Sequence, residues 1–516
     1  MDDPEVLRRF ARELIDKVLS GEIADRDSLQ AEKMRMCGRY HLKDVPQNSF
    51  ILSNLDESER EFVEPFLVKK PVRTMSGVAV VAVMTSPHPC PHGKCTYCPG
   101  GVENDSPQSY TGKEPAARRA ARNEFDPYLQ VSDRIRQLTE IGHRTDKIDL
   151  IIMGGTFTCR EPEYQDWFVR RCFDAMNGRD APDLATAQEW NTESVHRCVG
   201  LTVETRPDVF DDAQIERAMS LGATRVELGV QILDDGILAS VNRGHGIQAV
   251  VDCTERCRRH GLKICYHLMP GLPGSSPERD LESFRTMFSD PRFRPDMLKF
   301  YTTLVIEGTQ LYDMWKRGEY QPYDVDTAVE LLAEMKAEVP EYVRIQRIQR
   351  DIPAPQIAAG ILKSNVRQLV QAEMERTGRR CRCIRCREVG HTGADLDDPD
   401  AVRFRIVDYE ASGGTEHFVS LVYGDSLIGY ARLRTDGSDI AYIRELKVFG
   451  KIVSIGEHGT DWQHRGFGRE LVSKSEELAR SDGAKILRVT SGVGVRGYYA
   501  SLGFELDAPY MAKRLS

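Results

Sequence analysis

The spacing of apolar positions divides the 516 residues into four stretches. Over residues 1–75, Leu7, Phe10, Leu14, Ile15 and Val18 recur at helical intervals between Arg8, Arg9, Arg12 and Lys17. That pattern predicts an amphipathic helix docked on a larger body, its charged face outward and open to RNA contact. From 76 to 340, short apolar runs alternate with longer helical segments. Strands are predicted at 77–84, 148–153, 199–204, 225–230, 262–268 and 298–304. Near-continuous apolar strands separated by helices imply a parallel sheet covered on both faces. Six such units predict an α/β fold, a partial (β/α)6 barrel, whose chemistry sits where strands end and loops begin. Residues 341–400 read as a connecting segment, basic through its arginines until an acidic turn at 395–400. From 401 to 516, strands at 402–410, 417–423, 427–434, 440–449 and 485–490 surround a helix after Gly466, and a short helix follows near 496–502. This stretch predicts a separate α+β domain.

Composition narrows the function class. With 41% hydrophobic and 29% charged residues, the chain is an ordinary globular protein, not a disordered or fibrous one. No apolar run approaches the ~18 residues of a membrane span, and the acidic start lacks a secretion-signal core. The expectation is a cytoplasmic protein with no membrane partner. A net charge of −9 means that an RNA site must be a local basic patch. Thirteen cysteines, an odd number, argue against a disulfide scaffold. In a reducing compartment, closely spaced cysteines bind metal. Two clusters stand out, Cys90, Cys95, Cys98 and Cys381, Cys383, Cys386; most of the others read as small buried apolar residues.

The first cluster follows the first strand, in Cys90-Pro-His-Gly-Lys-Cys95-Thr-Tyr-Cys98. Three thiolates in one loop can hold three irons of a [4Fe–4S] cluster and leave the fourth open to S-adenosylmethionine, which the cluster cleaves to a 5′-deoxyadenosyl radical. The alternative is a zinc knuckle completed by a ligand such as His92. Other strand ends converge on the same cavity: Gly154, Gly155 and Thr156 after the second, Glu204 and Arg206 at the third and Gln231 at the fourth are candidate cofactor contacts, while Glu227 also flanks the fourth and His267 ends the fifth.

The second chemical site is Gln463-His464-Arg465-Gly466-Phe467-Gly468, opening a helix. Glycines there let backbone N–H groups approach a pyrophosphate. The pattern resembles the acetyl-CoA loop of the Gcn5-related acetyltransferase fold. Tyr498 and Tyr499, ahead of Leu502-Gly503-Phe504, match that fold's late helix, where a tyrosine protonates the departing thiolate; core packing is the competing role for each. The third site, Cys381-x-Cys383-x2-Cys386, suits one zinc ion with His391 or the distant Cys37 as fourth ligand.

Taken in order, CPHGKCTYCPGG, QSYTGKEP, IIMGGTF, ETRPD, ELGVQ, NRGH, QRDIP, REVG and QHRGFG resemble the Elongator catalytic subunit family over about residues 70–516. The resemblance implies a radical S-adenosylmethionine domain, a zinc knot and an acetyltransferase domain. It implies an enzyme that places a carboxymethyl group on carbon 5 of the wobble uridine of tRNA, drawing on S-adenosylmethionine and acetyl-CoA. The substrate would be the anticodon stem-loop, and electrons would come from an external donor. By carry-over, Cys90, Cys95 and Cys98 hold the cluster, Gln463–Gly468 bind CoA, Tyr499 aids thioester cleavage, and Lys147 and Lys299 contact cofactor or substrate. Four residues separate Cys90 from Cys95, against three in most radical enzymes of this class. That form resembles archaeal and bacterial members, which act without the other Elongator subunits. The first 70 residues match weakly. A protein lysine acetyltransferase with a structural cluster is the rival reading.

Overall fold

The computed structural model describes residues 3–68, 74, 77–394, 398, 401–449 and 466–515. Gln463, His464, Arg465 and the loop 450–461 lie outside them. The larger sheet is parallel throughout and runs in sequence order: β1 (Ala79–Met84), β2 (Lys147–Met153), β3 (Arg197–Thr205), β4 (Arg225–Gln231), β5 (Lys263–Leu268), β6 (Met297–Phe300) and β7 (Arg344–Arg347). Six of these are the strands expected from the apolar runs. The seventh lies in the stretch read as a linker; its sequence Arg-Ile-Gln-Arg carries no apolar run, yet it pairs with β6 from Met297–Arg344 onward.

Buried Val81, Val83, Leu150, Ile152, Leu201 and Val203 build the core between this sheet and its helices. Each such side chain contributes roughly 1.5–3 kcal/mol on leaving water. The helix Pro127–Glu140 shows how local sequence places the site. Asp126 caps it by accepting from the Leu129 N–H, Pro127 occupies the first turn, and Val131, Ile135 and Leu138 face inward. The fully buried Gln130 amide accepts from the Met84 N–H at 2.8 Å and donates to the Met84 carbonyl at 3.0 Å. The end of β1, immediately before the cysteine loop, is thereby pinned.

The second sheet is mixed: β8 (Arg403–Ala411), β9 (Gly414–Tyr423), β10 (Ser426–Thr435), β11 (Ile440–Val448), β12 (Ile486–Val489), β13 (Glu505–Asp507) and β14 (Tyr510–Arg514), in the order β13-β14-β12-β11-β10-β9-β8. β11 and β12 run parallel but pair only from Ile440–Ile486 to Ile443–Val489. Beyond Ile443, β11 stays paired with β10 alone, so the sheet splits at its centre.

Two contacts lock this sheet onto the amino-terminal edge of the parallel one. Gly492 and Gly494 approach the start of β3 so closely that a Cβ would lie 2.2 Å from the Val199 oxygen or 2.8 Å from the Cys198 nitrogen. A buried ionic cluster does the rest. Arg444 donates to Asp296 at 2.6 Å and to Glu416 at 2.7 Å, Arg258 donates to Glu416 at 2.7 Å, and Arg432 meets Glu445 at 2.9 Å. The amino-terminal residues form a separate small core around Phe10, Leu14, Leu29, Met36, Ile51 and Val63. Among the described residues, no helix is long and apolar enough to cross a membrane.

Candidate active site

The carboxyl ends of the parallel strands converge on one cavity. Its wall includes Cys90, Cys95, Cys98, Gly155, Thr156, Glu204, Arg206, Glu227, Gln231 and His267. The strand-end residues read from the sequence are therefore neighbours. Gly154 and Gly155 turn the chain after β2 at φ +133 and +88; a Cβ on Gly154 would lie 2.1 Å from the Thr85 hydroxyl oxygen. That turn brings the Thr156 hydroxyl to 3.4 Å from the Cys90 sulfur. The Ser109 N–H donates to the Cys98 sulfur at 3.1 Å, and His92 Nε2 lies 3.2 Å from the Cys95 sulfur. Burial pushes the Cys90 and Cys98 thiols up. Glu204 accepts from the Tyr110 hydroxyl at 2.7 Å, and Arg206 pairs with Asp208 at 2.6 Å.

These residues fit a polar, anionic guest. Among the described residues, the buried Tyr97 hydroxyl, Arg206 Nη1 and Gln231 Oε1 have no hydrogen-bond partner. Gln231 adopts φ +71, a left-handed conformation that costs a non-glycine residue energy. Arg243 is 6% exposed, and no described carboxylate pairs with it. It donates to the Gly229 carbonyl at 2.5 Å and points Nη1 at the Cys95 sulfur, 3.7 Å away. Buried unpaired groups are costly, so these atoms fit a polar guest such as a thiolate-bound cluster with an amino-acid cofactor. Single-ion zinc is disfavoured here. Two described sets have ligand atoms within 4.8 Å of one another, Cys381/Cys383/Cys386 and Glu227/Cys265/His267, and the Cys90 triplet is not among them. Zinc–sulfur bonds of about 2.3 Å cannot span more widely separated thiols.

The two lysines part company. Lys299 on β6 is buried and forms a short ion pair with Glu227 Oε2, the oxygen that also meets His267 Nε2 at 2.7 Å. It braces the cavity wall without lining it. Lys147 opens β2 opposite Arg197, at the amino-terminal edge. A seven-residue strand rises roughly 20 Å, so Lys147 does not reach the cavity, and its expected contact there is corrected.

In the second sheet, Gly466 leads the helix Phe467–Ser481 at φ +91. A Cβ on Gly468 would sit 2.7 Å from the Tyr498 hydroxyl, so the helix N-terminus and the late tyrosine share one corner beside the split between β11 and β12. Tyr499 is 5% exposed, edge-on to Phe504, and burial keeps its phenol protonated. The thiols of Cys381, Cys383 and Cys386 are close enough for one ion. Hydrogen bonds from its two neighbours pull Cys383 well below the usual thiol range. Neither His391 nor Cys37 joins that set; Cys37 lies in the amino-terminal helical core.

Family models match as the ELP3 N-terminal domain over residues 7–75, the Radical SAM superfamily over 86–287, the Radical_SAM C-terminal domain over 295–376 and the Acetyltransferase (GNAT) family over 384–504. A Methanocaldococcus infernus protein called tRNA uridine(34) acetyltransferase is 48% identical over 531 residues, covering 99% of each chain. The chain belongs to the Elongator Elp3 family.

The Elongator complex protein 3 of Homo sapiens is 40% identical over 98% of this chain and 96% of its own. A solved structure of the M. infernus Elp3 lacking residues 1–46 aligns with TM-score 0.76 at 46% identity, over 86% of this chain and 100% of that one. The Elp3 match reaches residue 7, so the weak resemblance expected of the first 70 residues is also corrected. Gln108, Tyr110 and Arg243 were missed as individual site residues. They lie inside QSYTGKEP and NRGH, motifs that fixed the family but assigned these residues no role.

Proposed function

We propose that this Elp3-family chain modifies carbon 5 of the wobble uridine of tRNA, installing a carboxymethyl group drawn from acetyl-CoA. One observation carries the reading beyond kinship. A basic groove runs into the mouth of the cysteine-ringed cavity, sharing Pro115, Arg347, Arg350 and Asp351 with it. Its wall offers eight cations, among them the exposed Lys113, Arg118 and Arg122, against the single carboxylate of Asp351. On a chain of net charge −9, such a concentration suits a phosphate backbone. An unstacked anticodon base can reach a buried cavity where a paired base cannot.

Cys90, Cys95 and Cys98 would hold the [4Fe–4S] cluster, with Gly154, Gly155, Thr156, Glu204, Arg206 and Gln231 around S-adenosylmethionine. When bound, the pair supplies a radical able to abstract an unactivated hydrogen. The chain's own residues do the rest. Arg243 and Arg206 offset negative charge, Tyr110 fixes the Glu204 carboxylate, and burial excludes water. Gly466–Gly468 would receive the CoA pyrophosphate, and Tyr499 or the adjacent Tyr498 would hold the proton for the departing thiolate. Cys381, Cys383 and Cys386 would hold a structural zinc. The setting is the cytoplasm, with an external electron donor and no need for further Elongator subunits. Anaerobic reconstitution with tRNA and both cofactors, followed by mass analysis of the wobble nucleoside, tests the reading. A protein lysine acetyltransferase would instead consume acetyl-CoA with a histone peptide and ignore tRNA.

A further inference from the structure

We propose that His267 is the general base of the cavity and accepts the proton that leaves carbon 5 of the substrate uracil. The inference rests on the uridine-modifying reading above and deepens it.

Glu227 lies at the base of the argument. It is fully buried on β4, and its Oε2 faces both Lys299 Nζ and His267 Nε2, the latter at 2.7 Å. Burial alone would push this carboxyl up, but Lys299 and His267 outweigh it and hold Glu227 ionised, well below the usual carboxylate range. Lys299 in turn is held protonated by Glu227. An ionised carboxylate only accepts hydrogen bonds, so the His267 nitrogen facing it carries the hydrogen. In the neutral ring Nε2 is then the N–H and Nδ1 carries the lone pair. Among the described residues, Nδ1 has no hydrogen-bond partner. The side chain is 14% exposed, and that exposure opens on the cavity shared with the three cysteines. Tyr301 stands edge-on to the imidazole at 5.3 Å and 78°, limiting its rotation. Glu204, the neighbouring carboxylate, is already engaged by Tyr110.

The proposed chemistry needs such a base. A carbon radical joined to carbon 5 leaves one unpaired electron on carbon 6 and a hydrogen on the now tetrahedral carbon 5. That electron departs to a one-electron acceptor of the iron–sulfur class. The C5–H bonding pair becomes the C5=C6 π bond, and the proton passes to His267 Nδ1. Lys299 thus acts through Glu227, as a positioning residue.

Two measurements on the full chain test this. Nitrogen-15 NMR of labelled histidines, with the His267 signal identified by its loss in His267→Gln, should show a neutral ring protonated on Nε2. A ring protonated on Nδ1 overturns the proposal. The second measurement is anaerobic turnover with an anticodon stem-loop, with the wild type as reference. His267→Gln should lower kcat on the order of 100-fold and leave KM for the RNA unchanged. Glu227→Gln, which keeps the imidazole, should have a kcat between the two. An active wild type with an equally active His267→Gln sinks the base alone. A wild type that never alters the uridine sinks the reading and the base together.

Discussion

Two cysteine triplets lie in one chain, and their surroundings differ. Cys381, Cys383 and Cys386 crowd within 4.8 Å of one another, and three tightly grouped thiols suit one tetrahedral ion. Cys90, Cys95 and Cys98 are spread along a loop at the carboxyl ends of parallel strands. Around them are a buried Arg243 that no described carboxylate meets, an unpaired Tyr97 hydroxyl and an unpaired Gln231 oxygen. The first triplet is compact enough for one ion; the second lines a cavity with unpartnered polar atoms. Counting cysteines would equate them, whereas thiol spacing and unsatisfied neighbours separate them.

The largest expected effect breaks the comparison at its active end. Cys95→Ala should abolish formation of the modified nucleoside and remove iron from the reconstituted chain, read by metal analysis, while zinc content stays whole. Cys383→Ser should do the reverse. It should lose the zinc, keep the iron, and cost several kcal/mol of stability in denaturant unfolding. Iron lost in both variants would show that the two sites are not separable.

A smaller effect concerns what joins the two sheets. Burial pushes Glu445 up, but Lys263 and Arg432 outweigh it and bring it down to about 2. A depressed carboxylate stabilises the fold above its unfolded value, and that contribution is lost as pH falls from about 4.5 toward 2. The loss should approach on the order of 3 kcal/mol, seen as a falling melting temperature over that window. In Glu445→Gln this slope should flatten. Next, Arg118→Glu with Arg122→Glu should weaken tRNA binding about tenfold or more and make it less steeply salt-dependent, without changing iron or zinc. The smallest expected effect belongs to the other cofactor. Gly468→Ala forces a Cβ to within 2.7 Å of the Tyr498 hydroxyl and should raise KM for acetyl-CoA a few-fold with kcat nearly intact.

Much of this architecture was legible in sequence because parallel strands buried on both faces must be apolar. Val81, Leu150, Leu201, Val226, Ile264 and Leu298 announce six strands. β7 escaped because Arg344-Ile-Gln-Arg347 obtains its place from pairing with β6, not from its own side chains. The cavity was legible because strand ends converge in this fold. Lys147 misled because proximity to a strand in sequence does not say which end of the sheet it occupies. Lys299, expected to contact cofactor or substrate, stands behind the cavity wall and meets it through Glu227. Arg243 carried no local signal; its meaning comes from burial without a counter-ion, a property visible only in three dimensions. Tyr498 and Tyr499 are adjacent in sequence, and only the fold shows one against Gly468 and the other against Phe504.

The most direct test is a single anaerobic reaction. The reconstituted chain is given tRNA, S-adenosylmethionine, acetyl-CoA carrying a labelled methyl carbon, and a reductant, and the wobble nucleoside is digested and weighed. The account predicts uridine heavier by one carboxymethyl group bearing the labelled carbon, with 5′-deoxyadenosine formed alongside. Unaltered uridine from a chain that holds its full complement of iron would contradict it.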